Sequence, residues 1–139
     1  MNEDMKKLII LENYQNPKNR GLINDDGYKL INTNSESCID QIDLEVKIEE
    51  NKIKDIRFDG EACAIATSSL SIAISKLIGK TKEDALNIID NYNKMVQDEE
   101  YDSKVLEELE IYKDISKQPA RMNCARLGIN GIKELIEKN

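Results

Sequence analysis

Four residues could do chemistry with a metal or a sulfur: Cys38, Asp40, Cys63 and Cys124. The chain has no histidine. A Ser-His-Asp or Cys-His nucleophile is therefore excluded, and so is every zinc site built on imidazole. Acid or base work falls to Asp, Glu, Lys, Tyr or Cys. Three cysteines are an odd count, which argues against a disulfide framework. Three thiolates and one carboxylate suit four-coordinate zinc, with sulfur at about 2.3 Å and oxygen at about 2.0–2.2 Å. An iron-sulfur cluster also takes thiolates. The cysteines are 25 and 61 residues apart, with no Cys-x-x-Cys pair. Spacing alone thus leaves the plain alternative open, three small buried core residues.

The elements around them say how they could meet. Ile42, Leu44, Val46 and Ile48 alternate with Gln41, Asp43, Glu45 and Lys47, the pattern of a half-buried strand. Extending that parity backward puts Cys38 and Asp40 on one face. Glu49 to Lys52 turns the chain, and Ile53 to Phe58 gives an antiparallel partner. Tyr28 to Ile31 reads as a further short strand, and the polar stretch Asn32 to Ser37 as a loop before Cys38. Cys63 opens a helix of small residues from Ala62 to Leu77 that Gly79 stops, and a helix N-terminus favours thiolate. Thr81 is a capping start for a helix through Tyr92, with Met95 and Val96 extending its apolar face. Ser103 to Tyr112 reads as an amphipathic helix with Val105, Leu106 and Leu109 inward. Pro119 suits the first turn of a last helix, in which Cys124 lies one turn along, three residues after the cation Arg121. Gly128 and Gly131 weaken that helix or mark close packing. Met5, Leu8, Ile9 and Leu11 give a first helix over residues 4 to 13, closed by Asn16-Pro17. The order is an N-terminal helix, an antiparallel sheet of about three strands, then several helices: an α+β fold.

Composition narrows the partners. The chain has 139 residues, a length suited to one domain over 1–139. Asp and Glu number 27 against 20 Lys and Arg, a net charge of -7. An acidic surface disfavours nucleic acid and anionic membrane. Apolar stretches fall short of the roughly 20 residues a membrane span needs. The N-terminus lacks the pattern of a signal peptide, so the expected compartment is cytoplasmic.

Four segments in order resemble the SufU branch of the IscU/NifU N-terminal family of iron-sulfur cluster assembly proteins. Tyr14-Gln15-Asn16-Pro17-Lys18-Asn19-Arg20-Gly21 is similar to the family's Tyr…Asn-Pro-Arg/Lys-Asn…Gly opening. Cys38-Ile39-Asp40 resembles its Cys-Gly-Asp, and Phe58-Asp59-Gly60-Glu61-Ala62-Cys63-Ala64-Ile65-Ala66 its Phe-x-Gly-x-Gly-Cys-Ala-Ile-Ser. Pro119-Ala120-Arg121-Met122-Asn123-Cys124-Ala125 resembles the SufU-type Pro-Ala-Arg-x-Lys-Cys-Ala. The long interval between Cys63 and Cys124 matches the SufU type, whose extra segment falls at Val96 to Tyr112. Three departures stand out: Ile39 and Ala62 replace family glycines, and Asn123 stands where other members have His or Lys. Ser116 to Arg121 occupies the place of the Leu-Pro-Pro-Val-Lys chaperone motif.

The resemblance implies a SufE/NifU-like fold and a zinc-dependent sulfur acceptor, a sulfurtransferase-like protein. It would take persulfide sulfur from a PLP-dependent cysteine desulfurase and pass it to downstream iron-sulfur assembly proteins. Cys38, Asp40, Cys63 and Cys124 are the implied zinc ligands. Cys38 is the implied acceptor, displaced from zinc by a desulfurase residue, and Arg121 an accessory steering group. The alternative the resemblance allows is a scaffold in which the same residues hold iron or a transient [2Fe-2S] cluster.

Overall fold

A computed structural model describes residues 2–34 and 40–138. In chain order the elements are α1 (Glu3–Gln15), β1 (Lys29–Asn34), β2 (Gln41–Glu49), β3 (Lys52–Glu61), α2 (Ala64–Leu77), α3 (Lys82–Val96) and α4 (Pro119–Glu137). Three short 3-10 helices lie between α3 and α4. This is the expected α+β order.

The three strands form one antiparallel sheet in the order β1-β2-β3. The alternation in β2 decides its faces. Ile42, Leu44 and Val46 are buried under α4, and Ile53, Ile56 and Phe58 of β3 are buried in the same core, on the side where β3 meets α2. Glu50 and Asn51 take left-handed φ values of 52° and 65°, the geometry of a tight hairpin turn. The opposite face is polar and strapped by the loop after α1. Buried Glu45 accepts hydrogen bonds from the N–H groups of Ile23 and Asn24, and Arg57 Nε donates to the Gly21 carbonyl at 2.7 Å.

β1 reaches further than the sequence pattern suggests. Asn32, Thr33 and Asn34, read as loop, continue the ladder opposite Asp43, Ile42 and Gln41. Asparagine is a poor strand former, but a cross-strand partner already in place outweighs that preference. Thr33 Oγ1 also donates to the Ile42 carbonyl at 3.0 Å. The rest of that loop reading, Ser35 to Ser37, lies outside the described residues.

Helix α1 is amphipathic in a different register from the one expected. Met5, Leu8 and Leu11 are exposed, and Ile9 and Ile10 pack against the core. The docking stripe is Lys6, Ile9, Ile10 and Asn13, spaced at three, four and seven residues. A polar requirement on the other side sets it. Ser71 of α2 is fully buried, and it donates to Asn13 Oδ1 at 2.8 Å while accepting from the Lys18 N–H at 2.9 Å.

The segment from Ser103 to Tyr112 is not an α-helix. It forms 3-10 helices over Ser103–Val105 and Glu107–Tyr112. Leu106, Leu109 and Tyr112 are buried at a spacing of three, which a three-residue turn places on one side; Val105 is only half-buried. Glu107, at φ 49°, interrupts any longer helical run.

α4 crosses α2 and the sheet through its two glycines. A Cβ on Gly128 would stand 2.9 Å from Leu70 Cδ1, and one on Gly131 2.5 Å from Leu44 Cδ1. Close packing, rather than weakness, is their role. Among the described residues no helix is long and apolar enough to cross a membrane.

Candidate metal centre

Cross-strand pairing brings the first two candidate ligands together. Gln41 at the start of β2 lies opposite Glu61 at the end of β3. Asp40 just precedes the one and Cys63 just follows the other. Asp40 continues the inward parity of β2 and is only 1% exposed. Its Oδ1 accepts the Cys63 N–H at 2.8 Å. Its Oδ2 is buried and has no hydrogen-bond partner among the described residues.

Cys63 is the N-cap of α2, in extended conformation, and its sulfur accepts the Ala66 N–H at 3.4 Å. That donor and the helix terminus direct partial positive charge at the sulfur. Cys124 enters from α4 and is 2% exposed. The next residue is pinned: buried Tyr92 of α3 donates to the Ala125 carbonyl at 2.8 Å. Tyr92 was expected only as an apolar helix residue; its hydroxyl in addition holds the turn of α4 that presents Cys124. A second tyrosine braces α2. Tyr112 and Ser68 share a hydrogen bond of 2.5 Å one turn beyond Cys63, and burial pushes the Tyr112 phenol well above the ordinary tyrosine range, keeping it neutral.

The Asp40 carboxylate oxygen and the sulfurs of Cys63 and Cys124 all lie within 4.8 Å of one another. A tetrahedral zinc with bonds of about 2.0–2.3 Å holds its donors roughly 3.3–3.8 Å apart. Closing the set takes about an ångström. The donor types fit, neither Cys63 nor Cys124 is in a disulfide, and a cation would give the buried Asp40 oxygen the partner it lacks among the described residues. Cys38 and Ile39 lie outside the described residues, so the expected shared face of Cys38 and Asp40 lies there too. Arg121 is exposed at the start of α4, and its guanidinium makes no hydrogen bond or ion pair among the described residues. Asn123 is also exposed and accepts from Arg126 at 3.1 Å, apart from the ligand group. Ala62 is half-buried, and its carbonyl accepts from Thr67 Oγ1 at 3.3 Å.

Residues 5–138 match the family model of the NifU-like N terminal domain. The chain belongs to that family. Its relatives include the iron-sulfur cluster assembly scaffold protein IscU of Streptococcus pyogenes serotype M1, 36% identical over 94% of this chain and 82% of that one. The zinc-dependent sulfurtransferase SufU of Bacillus subtilis is 31% identical over 98% of this chain and 92% of that one. A crystal structure of a putative iron-sulfur cluster assembly scaffold protein for the SUF system, from Fervidobacterium islandicum, superposes with a TM-score of 0.89. It is 28% identical and covers 97% of this chain and 99% of its own. The NifU-like assignment agrees with the α+β order and with the Asp-Cys-Cys group at the sheet's end.

The split role of Asp40 yields a prediction. Asp40→Asn can keep an oxygen for the Cys63 N–H but loses the negative charge and one of the two oxygens a metal could use. The metal-free protein is expected to melt at or above the wild-type temperature, while zinc leaves about tenfold faster or more. Asp40→Ala also strips the acceptor from a part-buried N–H, which costs about 1–3 kcal/mol. Chelator competition and thermal melts of metal-free protein measure both. Wild-type zinc release from Asp40→Asn would remove Asp40 from the ligand set.

Proposed function

We propose that this NifU-like protein is a zinc-dependent sulfur acceptor in iron-sulfur cluster assembly, working with a PLP-dependent cysteine desulfurase. The observation that supports it most is the gathering of the buried Asp40 carboxylate, one oxygen of which has no hydrogen-bond partner among the described residues, with the sulfurs of Cys63 and Cys124, all within 4.8 Å. Asp40, Cys63 and Cys124 hold the metal, with Cys38, two residues before Asp40, as fourth ligand and sulfur acceptor. Zinc supplies deprotonation of the thiols at neutral pH without redox chemistry of its own. In a chain without histidine, no side-chain imidazole could do the same.

The transfer itself is thiol exchange. The Cys38 thiolate attacks the terminal sulfur of the desulfurase persulfide. The old S–S bond breaks, and its electron pair leaves with the desulfurase thiolate, so nothing is oxidised or reduced overall. Arg121, exposed at the start of α4, steers the anionic persulfide or its carrier. Keeping three cysteines out of disulfides calls for a reducing, cytoplasmic setting.

A second reading has its own support in the Streptococcus relative, whose name is that of a scaffold. There the same residues would receive a transient [2Fe-2S] cluster as cargo for downstream assembly proteins. The interval between Cys63 and Cys124 and the missing chaperone motif favour the sulfur-acceptor reading. Anaerobic purification followed by metal analysis and a visible spectrum separates the two. The expected result is about one colourless zinc per chain. Added to a cognate desulfurase with cysteine, the zinc protein is expected to raise turnover several-fold. A coloured, iron-containing product with no stimulation would favour the scaffold.

A further inference from the structure

We propose that Arg20 is a positioning residue for the metal centre, acting through Gly60. This rests on the metal-centre reading above. Gly60 is where β3 comes nearest to the start of β2. It pairs with Ile42 at φ 124°, and a Cβ there would stand 2.1 Å from the Gln41 carbonyl oxygen. Only glycine fits, and glycine by itself leaves the backbone free to shift. Three residues later the chain delivers Cys63, and the strand opposite begins beside Asp40.

A single ion pair removes that freedom. Arg20 Nη2 donates to the Gly60 carbonyl at 2.7 Å, and Asp59 Oδ1 accepts the Gly60 N–H at 2.8 Å. Arg20 Nε lies 3.6 Å from that same Asp59 oxygen. Both polar groups of Gly60 are thus held from one side. The guanidinium also sits 5.7 Å from the centre of the Phe58 ring. Its own backbone is anchored by a parallel bridge to β3, with Gly21 N–H donating to the Phe58 carbonyl at 2.6 Å and Phe58 N–H to the Asn19 carbonyl at 3.2 Å.

This clamp adds little to stability. Arg20 and Asp59 side chains are 45% and 54% exposed, and solvent screening leaves such pairs little effect on folding. Its effect falls on geometry: the relative placement of Asp40 and Cys63, and so the rate at which the site releases a metal. Outer partners of metal ligands commonly shift affinity by about 10–100-fold.

The test uses the full chain, zinc with a chromophoric chelator, and Co2+ as a spectroscopic probe. Arg20→Met keeps the aliphatic cover on Phe58 and loses both donors. It is expected to release zinc about tenfold faster and to shift the visible Co2+ bands, with metal-free melting within about 2 °C of wild type. Arg20→Lys retains charge but cannot grip Gly60 and Asp59 together, so its release rate should fall between the two. Zinc release from Arg20→Met within about twofold of wild type overturns the proposal. So does a fall in metal-free melting large enough to account for the loss. If wild type and Cys63→Ser release zinc alike, the metal-centre reading itself fails, and Arg20 with it.

Discussion

Cys63→Ser and Cys124→Ser are each expected to weaken zinc binding by about a hundredfold or more. Structural zinc sites contribute about 10–16 kcal/mol, shared among four ligands. One ligand's share is about 3 kcal/mol, or roughly two orders of magnitude in affinity. The fold should survive both changes. Serine is a strong N-cap, so Cys63→Ser can still accept the Ala66 N–H that the sulfur accepts at 3.4 Å. In Cys124→Ser the new hydroxyl can donate to the Ala120 carbonyl, which the sulfur faces at 4.0 Å. Metal-free variants should therefore melt close to metal-free wild type. The zinc-loaded variants should lose most of the gain that zinc gives wild type, because ligand-linked stability follows affinity. Titration against a zinc chelator, with paired melts, reads this out. Zinc held by both variants within about threefold of wild type would show that these sulfurs are not ligands.

The second large effect belongs to Cys38. Cys38→Ala is expected to return the desulfurase to its basal turnover while zinc remains bound, though less tightly. An acceptor thiol must be reactive and reachable. Cys124 is 2% exposed on α4, and Cys63 caps α2 with its sulfur engaged by the Ala66 N–H. Each of those is tied to a packed helix, and the sequence around Cys38, Asn32 to Ser37, is polar. Mass spectrometry of the chain after turnover should find one extra sulfur on a peptide containing Cys38. An extra sulfur found only on Cys124 would assign the transfer to a scaffold-type mechanism instead.

Much of this architecture is legible before any coordinate. The alternation from Ile42 to Ile48, the turn at Glu50-Asn51 and the caps at Cys63 and Thr81 depend on neighbours a few residues away. Local backbone sterics and capping chemistry suffice for them. The inward parity of Asp40 follows from the same alternation, and the place of Cys63 at a helix start from the run of small residues that follows it. The errors fell where local signals compete. Two apolar stripes are available on α1, and the buried hydroxyl of Ser71 selects the one that carries Asn13. Residues 103–112 have enough leucine for an α-helix, but burial at a spacing of three selects 3-10 turns. Asn32 to Asn34 look like loop until β2 is beside them.

The sequence by itself determined which atoms could bind a metal: three thiols, one well-placed carboxylate and no imidazole. It also determined that two of them stand at the ends of elements. Whether those atoms meet is a long-range matter, since Cys63 and Cys124 are 61 residues apart. Tertiary structure decided that through the register of Gln41 opposite Glu61 and the crossing of α4 over α2 at Gly128. It decided equally that one Asp40 oxygen serves the Cys63 N–H and that the other has no partner among the described residues. No periodicity encodes that division, because it depends on a hydrogen bond between residues brought together only when the sheet closes.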